Sequence, residues 1–458
     1  MEYKISNRLK MGAIVLVVLG LLGVGYGFWD SHKVNEDNIS EYLANEAHDG
    51  DHSSAEGHGE SYAMSGHSET DSHSDSMHSD QGHDAEAHGS GHEMSHEEHV
   101  LHQIHNRPWA ALYVAAFFFF MISLGVLAFY AIQYAAQAGW SPVLFRVMEA
   151  ITAYVLPGAL IVFAIALIAD KHIFVWMDPE VVAHDKLIQG KSGFLNKGVF
   201  IGLSLFFILG WSAYRYLSRK FSIAQDTSDN NSNFKKAFRW SAGFLVFYIV
   251  TESVVSWLWI MSVDPHWFST LFGWYVFASM FVSGITVIAL MTIYLKSKGL
   301  LQFVNDSHIH DLAKFMFGIS IFWTYLWFSQ FMLIWYSNIP EEVTYFVTRI
   351  EYYKLPFFGM VVMNFVFPLL ILMNSDYKRI PWFVVMAGIV ILCGHYLDVF
   401  NMIMPATVVD RWFIGIPEIG SILLFGGLFL LIVFTALSKA PLLAKGNPFM
   451  KESEHFHY

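Results

Sequence analysis

The chain has 458 residues, of which 55% are hydrophobic, 17% aromatic and only 14% charged, with a mean hydropathy of +0.42. Soluble domains carry about a quarter charged residues, so this composition excludes them and points to an all-α polytopic membrane protein. The formal charge of −12 comes largely from acids gathered in one polar segment, no nucleic-acid partner is expected, and the single cysteine, Cys393, excludes an internal disulfide, a cysteine-ligated iron–sulfur cluster and a CxxCH haem attachment.

Lys4, Arg8 and Lys10 precede an apolar run from about Gly12 to Trp29. No small-x-small cleavage pattern follows, because Gly25-Tyr26-Gly27-Phe28-Trp29 ends the run with bulky rings. Residues 1–30 therefore read as a retained anchor helix. Residues 31–106 are rich in Ser, Gly, Asp, Glu and His, and hold 14 of the 22 histidines. Such a segment cannot bury enough apolar surface to offset chain entropy, which predicts a disordered outer loop. Mixed histidines and carboxylates bind Zn²⁺, Cu²⁺ or Ni²⁺ weakly, but these spacings are irregular and define no metal site.

After Arg107-Pro108 come nine further apolar runs, at about 109–134, 149–169, 194–217, 239–261, 272–295, 311–336, 354–374, 381–404 and 416–437. Each is long enough to span the hydrocarbon core. With the anchor they make ten helices, with tryptophans clustered at run ends. Of the 27 lysines and arginines, 18 fall on one side of this arrangement. That places both termini in the cytoplasm and the histidine-rich loop outside.

Oriented this way, the ionisable groups near helices gather toward the outer face. The stretch TESVVSWLWIMSVDPHWFSTLFGWY carries Glu252 inside a helix and a sharp break at Asp264-Pro265-His266. An acid inside lipid costs several kcal/mol unless it faces protein or water, so it marks function or a helix-pairing carboxylate. Asp170 and His172 end the third helix, and Glu418 opens the tenth. In GHYLDVFN, His395, Asp398 and Asn401 are three apart and share a helix face. They can pass protons, hold a hydroxylated ring, or satisfy one another as glue between helices. Toward the inner face the main candidates are Glu149, Asn364 and Asn374. Only His395 lies well inside a helix, so the chain is expected to carry no haem, and any redox centres belong to partners.

The segments WMDPEVVAHDK, WIMSVDPHWFSTLFGWYVF, WYSNIPEE and HYLDVFNMIMP resemble the polysulfide-reductase-type (NrfD-like) membrane subunits of alternative complex III. That complex is a bacterial quinol:cytochrome c oxidoreductase. The resemblance covers about residues 109–437. It implies two adjacent four-helix bundles with one flanking helix at each end: anchor 1–30, loop 31–106, bundles 107–270 and 271–405, and a last helix with a cytoplasmic tail at 406–458. It also implies a paralogous membrane subunit, an iron–sulfur protein and multihaem cytochrome c subunits as partners, besides lipid. The cofactors it brings are haem c and iron–sulfur clusters in those partners, with menaquinol as substrate. Asp170, Asp264, His395 and Asp398 match positions where the family handles protons or quinol, and His172, Glu252 and His266 join them as candidates. The quinol-oxidising paralogue also has a histidine in its first bundle; the helices between 109 and 261 hold none, which favours the partner paralogue.

The leading expectation is thus a membrane subunit of a respiratory quinol-oxidising complex, contributing proton transfer and quinol handling near the outer face. A structural anchor for soluble redox subunits is the alternative. A metal-ion transporter with a histidine-rich collecting loop would need a repeated ligand set near the midplane, which the helices lack.

Overall fold

The structure is a computed structural model describing residues 3–44 and 96–457. Most of the predicted outer loop, at 45–95, lies outside the described residues. Among the described residues, ten helices are long and apolar enough to cross a membrane: α1 (Asn7–Ser31), α2 (His96–Ala135), α3 (Pro142–Ile168), α4 (Lys197–Gln225), α5 (Ser232–Val263), α6 (Phe272–Ser297), α7 (Asp306–Ser337), α8 (Lys354–Leu372), α9 (Pro381–Val408) and α10 (Ile416–Leu437). Among the described residues there is no strand. The protein is an all-α, multi-pass membrane protein, and its spans follow the apolar runs.

One boundary is corrected. The loop was expected to continue to residue 106, but α2 is helical from His96, with Pro108 inside it. Glu97 and Glu98 occupy the first turn, where carboxylates favour the positive end of the helix dipole. Polar composition alone does not stop a helix already nucleated by an apolar span.

Lipid tails are as apolar as leucine, so helices in a membrane associate where small residues let backbones approach. The two flanking helices do this with each other. A Cβ on Gly20 of α1 would stand 2.3 Å from the Leu424 nitrogen of α10, and one on Gly23 would stand 2.9 Å from the Gly420 Cα. At the centre, α2 and α6 meet the same way. A Cβ on Gly125 would fall 2.2 Å from the Met280 carbonyl oxygen, and one on Gly284 2.9 Å from the Val126 nitrogen. The most apolar stretch of α2 is 89% buried and that of α6 is 83%, against 17% for α1, which makes α2 and α6 the core.

Around that core, α2–α5 form one bundle. The Tyr113 hydroxyl donates to the Trp259 carbonyl (2.8 Å), the Trp259 indole to Ser204 (2.8 Å), and the Trp211 indole to Thr251 (3.0 Å). In the other bundle α6 packs against α7 and α9, and α8 packs against α9. Both bundles and both flanking helices belong to one compact unit, Met1–Lys33 with His102–Tyr458, while Val34–Leu101 form a second. In that second unit, the side chains of Asn35 and Asn38 each accept a hydrogen bond from the other's backbone amide.

The α1–α10 contact generates a prediction. Gly20→Leu should separate the two helices and lower stability by about 1–3 kcal/mol, the usual penalty for overpacking. Gly12→Leu, where an added Cβ meets nothing within 4 Å, should be silent. Thermal unfolding in mild detergent compares the two.

Candidate functional site

The helical spacing of α9 brings His395, Asp398 and Asn401 to one face, and the second bundle closes over all three, which are buried. The Asp398 carboxylate accepts from the Tyr275 hydroxyl on one oxygen and from the Trp323 indole N–H on the other, at 2.9 Å. His395 Nδ1 lies 3.4 Å from that second oxygen and 2.9 Å from the Ser279 hydroxyl. Tyr275 and Ser279 are one turn apart on α6, so a single helix supplies both contacts. Among the described residues, the one ion-pair partner of Asp398 is His395. His395 Nε2 is buried with no hydrogen-bond partner.

One side of Tyr275 faces a narrow crevice lined with Trp327, Gln330, Tyr345, Arg349 and Asn401. Its cavity volume is about 10 Å³, room for about one water molecule. Gln330 Nε2 and Asn401 Oδ1 are buried and unpartnered, a donor and an acceptor on the same crevice. Arg349 is fixed there by the backbone of α9. Pro405 has no N–H, so the Asn401 carbonyl four residues back loses its helical partner. Arg349 Nε donates to that carbonyl at 2.9 Å, and its Nη1 donates to the Tyr345 carbonyl at 2.7 Å. The guanidinium also stacks on the Tyr345 ring, 3.3 Å from its centroid. The other face of Tyr345 belongs to Trp267, whose ring stacks at 3.8 Å and 14°. The turn after α5 therefore reaches across to the second bundle.

The remaining predicted residues do not join this cluster. Glu252 is buried inside α5, accepting from Ser256 at 3.0 Å. Asp264 lies half-buried beside Lys191, Trp257 and Trp267 in a surface pocket of the first bundle. His266 is exposed and bonds Asp185 at 2.5 Å. Asp185 is held below the usual carboxylate range by the Ile188 backbone N–H and then by His266. Asp170 pairs with Lys197 at 2.6 Å. Burial raises the Asp170 pKa, but the Lys197 ammonium and the Lys171 backbone N–H outweigh it and leave a net lowering. His172 bonds Asn106 at 2.8 Å and stacks on Trp109. Glu418 is a helix cap as well as an ion-pair partner, accepting from the Gly415 amide at 2.8 Å and from Arg107 at 2.9 and 3.0 Å.

Sequence reading did not single out Tyr275, Ser279, Trp323, Gln330 or Arg349 as site residues. The i,i+4 pair Tyr275/Ser279 and the i,i+7 pair Trp323/Gln330 were the available signals. Among the described residues no three His, Cys, Asp or Glu side chains converge as metal ligands. Fold and site define a multi-pass helical membrane protein with a buried acid–histidine network in one bundle. Compared with known proteins, the chain matches no protein-family model and no curated relative.

Two predictions follow from this geometry. Asp398→Leu would leave the Tyr275 hydroxyl and the Trp323 indole buried without an acceptor, at roughly 1–3 kcal/mol for each group. Asp398→Asn keeps an acceptor oxygen and should lose clearly less, as read by melting temperature. The second concerns pH. Burial, then the nearby His102 and His105, lower the His172 pKa from 6.5. Below pH 6.5 the unfolded chain therefore binds this proton more readily than the folded one, so stability at this end is lost as pH falls through 6.5 toward the lower folded value. His172→Gln should flatten that loss in melting temperatures taken between pH 7.5 and 5.

Proposed function

We propose that this chain is a proton-handling membrane subunit of a respiratory quinol-oxidising complex, akin to the NrfD-like subunits of alternative complex III. The observation that carries the reading is Asp398. It is a fully buried carboxylate with no lysine or arginine partner among the described residues, in contact with a histidine and with a tyrosine that lines a crevice. A structural ion pair inside lipid would pair the acid with a strong base. A relay needs groups that exchange protons among themselves, and Tyr275, Asp398, His395 and Ser279 form a continuous hydrogen-bonded row.

In this reading, quinol oxidation releases two protons for each two electrons. A water in the crevice takes up a proton and passes it through Tyr275 to Asp398 and His395, or the row runs in reverse to discharge it. The redox centres sit in partner subunits: an iron–sulfur protein, multihaem cytochrome c subunits and a paralogous membrane subunit. Both termini lie in the cytoplasm and the crevice opens toward the periplasm. A second reading, that the crevice itself receives menaquinol, is favoured by the unpartnered Gln330 Nε2 and Asn401 Oδ1. These match the acceptor and donor of a quinol hydroxyl, provided Trp327 and Phe346 part to admit the ring.

The test uses complex isolated in mild detergent, with haem absorbance reporting copurified partners. Asp398→Asn should lower quinol:acceptor turnover per haem by tenfold or more, of the order that a positioned proton-transfer group contributes, while subunit stoichiometry stays unchanged. Full turnover in Asp398→Asn would leave this chain as an anchor for its partners. A preparation free of haem would remove it from such a complex altogether.

A further inference from the structure

A second polar cavity, about 490 Å³, lies far from the α9 network, between α3, α4 and α10. Its walls are Ala153 of α3, Arg215 and Arg219 of α4, and Leu431, Ile432 and Thr435 of α10, with Lys439 just beyond. Among the described residues three cations line it and no acid does. The acids nearby are already engaged: Glu149 accepts from Arg146 (2.7 Å) and from the Tyr130 hydroxyl (2.9 Å), and Asp226 also pairs with Arg146. Arg219 keeps one hydrogen bond, to the Ala436 carbonyl at 3.1 Å, and stands 3.9 Å from Glu149. The side chain of Arg215, one helical turn away on the same face, makes no hydrogen bond or ion pair among the described residues, and its Nε is buried without a partner.

Two like charges four residues apart on a helix repel, and an unpaired guanidinium at membrane depth is costly. An anion in the cavity would offset both costs. The apolar walls indicate which kind. Leu156 and Leu160 continue the Ala153 face of α3 at i,i+3 and i,i+7 and are exposed, and Leu431 and Ile432 form the facing wall. A groove with a cationic end and lipid-facing apolar sides suits a phosphate carried on acyl chains. We infer that this cavity binds the headgroup of an acidic phospholipid, with Arg215, Arg219 and Lys439 on the phosphate oxygens and Thr435 as a further donor. Basic pockets between spans recognise such headgroups by this chemistry.

The full-length protein, delipidated in detergent, provides the test. Its melting temperature is titrated with phosphatidylglycerol, cardiolipin, phosphatidylcholine or inorganic phosphate, and bound lipid is counted by native mass spectrometry. The acidic lipids should raise the melting temperature and remain bound, and phosphatidylcholine and phosphate should not. Lys439→Gln, at an exposed position, and Arg215→Gln should each weaken the response about fivefold, with Arg215→Lys retaining most of it. If Arg215→Gln fails to fold, Lys439→Gln alone decides. An equal response in Lys439→Gln, or none in the wild type, overturns the inference. A shift with inorganic phosphate equal to that with acidic lipid overturns it too and reassigns the cavity to a soluble anion.

Discussion

Helices immersed in hydrocarbon stay together chiefly where their backbones can touch, and in this protein the decisive contact is Gly125 of α2 against Gly284 of α6. Everything in the second bundle takes its position from it. Tyr275 and Ser279 lie on α6 within three turns of Gly284, so any shift of α6 moves both groups that contact the α9 network. From the same face, two turns before Gly125, α2 sends Phe118 edge-on against Tyr396 of α9, with ring centroids 5.5 Å apart. The acid–histidine row is therefore held between two helices that both index on α2. A side chain at either glycine would push apart the elements that define the site.

The two bundles use their irregular backbone differently. In the second, the helices break rule at two places, and each break frees or aims a polar group. Pro405 releases the Asn401 carbonyl, which Arg349 takes up. A wide turn at Val362–Val366 of α8 precedes Pro368 and brings Asn364 so close to α9 that a Cβ on Gly394 would lie 2.1 Å from its side-chain oxygen. Asn364 is fully buried with both polar side-chain atoms unpartnered, against Gly394, the residue before His395 on α9. The first bundle breaks within α3, at Thr152–Tyr154, and at the end of α5, and of its buried acids Glu252 leans on serines of its own helix while Glu149 pairs with Arg146. Two bundles of equal helix number thus carry very different polar interiors.

What the sequence made legible follows from where the physics is local. Ten spans could be read because hydropathy over about twenty residues is a property of the chain alone. The shared face of His395, Asp398 and Asn401 could be read because helical spacing is fixed. The donors to Asp398 could not. Trp323 resembles any membrane aromatic until α7 is packed against α9, and Arg349 reads as a charge on an outer connection until Pro405 exposes a carbonyl for it. Grouping the acids by side of the membrane placed Asp170, Asp264, Glu418 and Asp398 together. Tertiary structure separates them into a lysine pair, a surface pocket, a helix cap joined to Arg107, and the buried network. An acid's neighbours, which decide its role, come mostly from other helices.

The pairing of α1 with α10 bears on how the protein is made. α1 is synthesised before both bundles, and its partner follows some four hundred residues later. Until then the glycine-lined face of α1, with Gly20, Gly23 and Gly27, has only lipid against it. Nothing in α1 forbids the wait: between Asn7 and Asp30 its charges are confined to Arg8 and Lys10 near one end, and the rest is apolar enough to sit in the bilayer alone. The α1–α10 contact thus forms only after both bundles have been synthesised.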